Sequence, residues 1–413
     1  MSGDGSFIKL RLASAQRKIR AFLRQLDDIS AGEFPYTDGL CALYDIKLVF
    51  ETWRADINSL PPSPSVGVVT QICNGVRRDV NLYTVLLGFI LRSTNLRNAF
   101  EIIDPLKRIA RATVRTDVRL ILSSEWDYVP LTYPMNVQTL RSSVFVGMPA
   151  QESRYALCFA IAGHEIGHSV WRQNDVNSTV LEKVTNAVHA ALEHAGPDAS
   201  IDVPILEDNC RVWAMRQVEE IFCDMFSLMI FGESYLYAFD YLLGPGGWSR
   251  TPGYPSVVKR NEYLKYAARK IGVPFDEDIF SGWVDSTDLA DELQQAALIT
   301  DESVSSLTPY VLKVVSEILA SKRKVQPSKQ NPVCLPKAKN ISRIENSFVR
   351  LLPYQQRATL PEILCAGWRR LRALEKSGQE GIEDKYETLN ELVAKSIEIS
   401  EFLGLADEHA ERR

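Results

Sequence analysis

The chain predicts an α+β protein, mainly helical, with a small strand-containing core in its middle. Three observations carry this. Apolar residues recur at helical spacing through most of the 413 residues. Only two short runs, "DVRLILSS" at 117–124 and "SSVFVGMP" at 142–149, are rich in β-branched residues and bounded by turn residues, as strands are. Breaks rich in proline or glycine separate the helical stretches at 60–67, 242–256 and 322–340.

Residues 6–27 place Phe7, Ile8, Leu10, Leu12, Ile19, Phe22, Leu23 and Leu26 at helical spacing with basic residues between, the pattern of an amphipathic helix. Further helices are expected at 38–57, 69–76 and 80–110. The two strands follow, and then a helix over 152–173 with Glu152 in its first turn. The pattern from 178 to 298 reads as helices at 178–194, 206–231, 233–243, 256–270 and 287–298, and one more is expected at 301–321. The segment "KRKVQPSKQNPVCLPKAKN", with three prolines, six basic residues and no acidic one, reads as a linker or surface loop. Helices at 342–352, 359–377 and 381–404 complete the expectation. The chain thus divides into an N-terminal helical region (1–112), a core (113–272) and a C-terminal helical region (273–413).

Composition narrows the function. The chain is 46% hydrophobic and 24% charged, with a net charge of -5, and shows no basic stripe of the kind a nucleic-acid surface needs. The longest apolar runs, "VLLGFIL" (85–91) and "MFSLMIF" (225–231), fall short of the ~20 residues of a membrane span. Lys9, Arg11, Arg17 and Lys18 interrupt any signal-like N-terminal stretch. Seven cysteines without a CxxC pair fit a reducing compartment. The expectation is a cytoplasmic protein with no membrane and no nucleic-acid partner.

The chemistry concentrates in "FAIAGHEIGHSV" (159–170). The chain has only five histidines, and His164 and His168 stand four apart, on one face of a helix. Two imidazoles and a third ligand can hold one Zn²⁺ with a position left for water. Glu165, beside the first histidine, is then placed as general base. The neighbours Ile161, Ala162, Ile166, Gly167 and Val170 are apolar or small, so two histidines and a glutamate there would be costly to desolvate without a metal. A third ligand of the HExxHxxGxxH kind is excluded, because Trp171 and Asn174 occupy its places. His189 and His194 read as surface residues. "RQVEEIFCDMFSLMIFG" (216–232) is the better source: Glu220 and Asp224 share a helix face, so Glu220 can complete the zinc shell. Asp224 can accept the other ring N–H of a ligating histidine, His164 first. Glu219 is expected to point elsewhere, solvated or paired with an arginine. Cys158 and Cys223 read as buried structural thiols.

HExxH followed by ExxxD on a later helix resembles the gluzincin metallopeptidases. The likeness is to soluble relatives of the zinc peptidases that include the CAAX-processing and heat-shock-induced membrane proteases, and to uncharacterised bacterial HExxH proteins. That group carries a His-Pro-Pro or His-Pro-Ser motif with an arginine six residues after the histidine. Here "YPSVVKR" (254–260) has Arg260 at that offset, but Tyr254 replaces the histidine. The resemblance covers about 115–270. It implies a gluzincin-like core with a small sheet and an active-site helix, and an oxyanion stabilised by Tyr254 or Arg260. It also implies that the strand of Val144, Phe145, Val146 and Gly147 binds an extended protein or peptide substrate by its edge. The expected function is a zinc-dependent endopeptidase whose flanking helical regions gate the cleft or recruit a protein partner. Two alternatives stand beside it: a protease-like sensor or scaffold in a larger assembly with a structural or rarely used zinc site, and a zinc hydrolase of a non-peptide amide.

Overall fold

The structure is a computed structural model. It describes residues 3–94, 100–126, 140, 142–196, 202–244, 250–251, 253–285, 289, 291–325, 332–378 and 382–411. Parts of the glycine-rich loop at 242–256 and of the basic segment at 322–340 lie outside the described residues. The molecule is mainly helical with a two-stranded parallel sheet, the expected class.

Three helices, α1 (Gly3–Ser30), α2 (Thr37–Asn58) and α3 (Val66–Arg92), build the N-terminal part. Their apolar stripes close a core in which the Phe22 and Phe50 rings stack at 4.0 Å. α3 runs without a break through 76–80, where two helices were expected. Asp79 does not interrupt it, because its buried carboxylate accepts the Trp53 indole N–H at 2.8 Å. The helix expected over 80–110 is in fact two, since α3 ends at Arg92 and α4 (Ile103–Thr113) follows a 3₁₀ turn at Phe100–Ile102.

β1 (Arg119–Glu125) and β2 (Ser143–Pro149) pair in parallel, with Leu120 opposite Val144 and Leu122 opposite Val146. Both strands are almost wholly buried. Side chains alternate between faces along a strand, and here both faces are covered. Leu120, Leu122, Val144, Val146 and Met148 join the main core, whereas Ile121 and Phe145 join the N-terminal one. The sheet is a wall shared by two cores. Asp38 of α2 accepts the Leu120 N–H at 3.0 Å and pairs with Lys107 at 2.6 Å, so a side chain satisfies a backbone donor on the edge of β1.

Past β2 the chain makes a turn and a 3₁₀ segment, Ala156–Ile161, before α5 (Ala162–Gln173) begins. A regular helix was expected from 152. The reason for the difference lies far along the chain, in α12 (Leu360–Lys376) and α13 (Ile382–Glu411). Trp368 Nε1 donates to Leu157 O at 3.0 Å, while the Asn390 amide takes the Ala156 N–H at 2.7 Å and donates to Arg154 O at 3.1 Å. These backbone groups are satisfied by tertiary partners instead of by an i→i−4 ladder.

The remaining elements are α6 (Val176–Ala195), α7 (Val203–Phe231), α8 (Glu233–Leu243), α9 (Val257–Ile271), α10 (Asp291–Val325) and α11 (Ala338–Val349). α10 is one helix where two were expected, at 287–298 and 301–321. Thr300 and Ser303 turn their hydroxyls back onto Ala296 O and Ile299 O at 2.7 and 2.6 Å, which lets polar residues continue the helix. No helix among the described residues is long and apolar enough to cross a membrane.

α7 is the central helix. Asp202 caps it by accepting the Ile205 N–H, and it ends at Gly232, whose φ is +58°. α5 crosses it antiparallel and unusually close. A Cβ on Gly163 would lie 2.4 Å from Ser227 Oγ and 2.7 Å from the Phe231 ring, and one on Gly167 would lie 2.9 Å from Cys223 Cα. Gly167→Ala therefore forces two helices apart and should cost about 1–3 kcal/mol, read as a lower urea midpoint at unchanged m-value. Gly67→Ala, where the nearest atom is 4.0 Å away, should not lower it. Equal midpoints for wild type and Gly167→Ala would refute the close-crossing account.

Candidate metal centre

The close crossing brings the HExxH helix against the acidic stretch of α7. His164, Glu165, Glu220 and Asp224 are all buried, at 2–8% exposure. Glu220 faces both imidazoles: its carboxylate oxygens stand 3.2 Å from His164 Nε2 and 3.7 Å from His168 Nε2. Each ring is held from behind. Asp224 lies 2.8 Å from His164 Nδ1, as the sequence predicts. Glu219 lies 2.9 Å from His168 Nδ1. This second contact differs from the expectation that Glu219 points elsewhere. Because α5 and α7 run antiparallel, the turn that carries His168 meets α7 nearer its N-terminus than the turn that carries His164, and residue 219 is the one that faces it.

Asp224 is the best-held acid of the group. It receives Arg260 Nε at 2.6 Å and Nη2 at 2.8 Å, and the Tyr235 hydroxyl at 2.5 Å. Burial works against its charge, but Arg260 and His164 outweigh burial and hold its pKa well below the usual carboxylate range. Arg260 itself is nearly enclosed, stacks over the Phe239 ring at 4.9 Å, and has a further N–H 3.6 Å from Glu220. Both its Nε and its Nη2 donate to Asp224. Tyr235, fully buried, escaped the sequence reading. No motif marks it, and only the contact of α8 with the centre shows it.

Tyr254 is half-exposed at the edge of the centre. Its phenol pKa is raised to about 12, chiefly by the Glu220 charge and then by burial, so it stays protonated. The side chains of Val144, Phe145 and Val146 are buried in the two cores, and Gly147 is buried with them. With these side chains buried, what β2 can offer a peptide is its main chain. His189 and His194 lie on the surface beside Glu193, Glu207 and Glu302. Cys158 and Cys223 are buried free thiols.

No family model, curated protein or solved structure matches the chain.

His164, His168 and Cys223 form a largely buried set whose donor atoms all lie within 4.8 Å of one another, able to hold a metal ion. Glu220 and Cys223 thus both border the same two histidines. Burial, and then the charges of Glu220, Glu219, Asp224 and Glu165, raise the Cys223 thiol well above its ordinary pKa, which keeps it neutral. For Glu220, burial opposes the charge, but the histidines and Arg260 outweigh it in the metal-free protein and lower its pKa.

Burial alone would discharge His164, but hydrogen bonds and charge from Asp224 and Glu220 prevail and raise its pKa to about 10. In metal-free protein this group adds stability that is complete below its ordinary value of 6.5 and is lost as pH rises through about 10. Asp224 and Glu220, with depressed values, lose theirs only in acid. With a chelator present, the unfolding midpoint should fall from about pH 7 to about pH 10, and His164→Asn should flatten that fall. An equal slope in the variant would remove His164 as its source. Arg260→Met leaves Asp224 buried without its partner and should cost about 3–5 kcal/mol in denaturant titrations, with Arg260→Lys recovering only part. A loss below ~1 kcal/mol would show the pair to be dispensable.

Proposed function

We propose that the chain is a zinc-dependent endopeptidase of gluzincin type, with His164, His168 and Glu220 as metal ligands and Glu165 as general base. The observation that carries this is the position of Glu220, 3.2 and 3.7 Å from the two Nε2 atoms, while a carboxylate occupies each Nδ1. A ligating histidine commonly donates its other N–H to a carboxylate, which fixes its tautomer and raises its basicity. Charge supports the same reading. Glu165, Glu219, Glu220 and Asp224 gather here with Arg260 and Arg172. Counted over these six groups, with neutral imidazoles, two negative charges are in excess, which a divalent cation would cancel. Two imidazoles and a carboxylate suit zinc, which when bound polarises a carbonyl and makes water acidic near neutral pH.

Glu165 is 4% exposed, and among the described residues no hydrogen bond or ion pair holds its carboxylate. Burial raises its pKa, with the histidines opposing and Glu220 adding to the effect. A carboxylate made more basic and left free is suited to take a proton from water. As water attacks the peptide carbonyl, the C–O bond forms and the proton passes to Glu165. The same proton then goes to the amine as the C–N bond breaks. Tyr254, protonated through the neutral range, can donate to the oxyanion that develops. Arg260 acts one step back, by holding Asp224 against His164.

Glu165→Gln keeps size but removes basicity. It should retain zinc by elemental analysis, whereas His164→Ala should lose it. Glu165→Gln should also lower peptide cleavage about 10²–10⁴-fold in a proteome-derived peptide screen. Identical cleavage profiles for wild type and Glu165→Gln, with zinc bound in both, would leave the binding or scaffold role as the better reading.

A further inference from the structure

The peptidase reading uses Glu220 and leaves Cys223 unexplained. Cys223 lies on α7 one turn from both Glu219 and Glu220 and next to Asp224, and it is wholly buried. It faces Gly167, between the two histidines of α5. A Cβ at 167 would fall 3.2 Å from its sulfur, so the absent side chain is what leaves room for the thiol. Its sulfur belongs with the donor nitrogens of His164 and His168 to a set whose members all lie within 4.8 Å of one another. The two imidazoles therefore border two different third donors, a carboxylate and a thiol.

We propose that the centre has a second donor set, His164, His168 and Cys223, which takes a thiophilic metal ion such as Cd²⁺. Donor softness separates the two. Imidazole and carboxylate suit zinc, whereas a thiolate favours softer ions. When such an ion binds, the S–H bond breaks, a sulfur–metal bond forms, and the proton leaves for solvent, with no change of oxidation state. The ion is drawn toward α7, into the crossing of the two helices and away from Glu165. A soft ion held this way should occupy the centre without supporting catalysis. The inference rests on the same two histidines as the peptidase reading, but not on peptide cleavage.

The test is a titration of metal-free full-length protein with CdCl₂, followed by the sulfur-to-cadmium charge-transfer absorbance in the ultraviolet. Wild type should develop the band to saturation at one equivalent. Cys223→Ser and Cys223→Ala, the second keeping a small apolar group should the hydroxyl disturb packing, should lack it while keeping the wild-type circular dichroism. Their Cd²⁺ affinity should fall by at least about 10-fold, while zinc affinity stays as in wild type. Glu220→Gln should keep the band. A band of equal size in both cysteine variants would place it on another of the seven cysteines and overturn the proposal, as would no band in wild type. A wild-type band that depends on Cys223 in a protein that cleaves no peptide would sustain this inference and sink the peptidase reading alone.

Discussion

The contact between α5 and α7 is the constraint on which the centre depends. Two glycines, four apart, let the backbones approach until Gly163 touches Ser227 and Phe231 and Gly167 touches Cys223. Small residues at that spacing are how helices come together without a layer of side chains between them. Only at this separation can side chains as short as aspartate and glutamate span from one helix to imidazoles on the other. His164 meets Asp224 and Glu220, and His168 meets Glu219, all across the same seam. The Ser227 hydroxyl, which donates to Ala160 O at 3.0 Å, ties the seam at its far end.

Such packing gathers more acid than a helical core normally tolerates. The molecule manages it by ranking the acids. Asp224 is fixed as a charged group by Arg260 and Tyr235. Glu219 keeps part of its side chain in water. Glu220 is left facing the imidazoles, and Glu165 is left alone with a raised proton affinity. The result is four carboxylates of one formal kind in four different environments, separated by which cations and hydroxyls each one meets.

Much of this was legible in the sequence, and for identifiable reasons. The i, i+4 spacings of His164 with His168 and of Glu220 with Asp224 depend only on helical geometry, so their faces could be read directly. The contact of Asp224 with His164 followed from that. Glu219 could not be assigned in the same way, since its direction is decided by the antiparallel crossing of α5, a tertiary fact. Tyr235 belongs to a helix whose apolar positions all look alike, and its hydroxyl is distinguished only by what it touches. Gly167 was visible as a small residue, but its role, and that of Gly163, needed the partner helix. The helix start expected at 152 failed because Asn390 and Trp368 claim the backbone of 154–157. Long-range hydrogen bonds of that kind leave no local signal.

Those same bonds tie the order of synthesis to the completion of the centre. Ala156 reaches its partner across 234 residues, and Leu157 reaches Trp368 across 211. While the ribosome still holds α12 and α13, the chain already has both histidines and all four acids, but not the brace that sets the segment leading into α5. Closing loops of that length is also entropically slow relative to pairing neighbours. The approach to α5 is thus completed only when parts of the chain more than two hundred residues further on have packed against it.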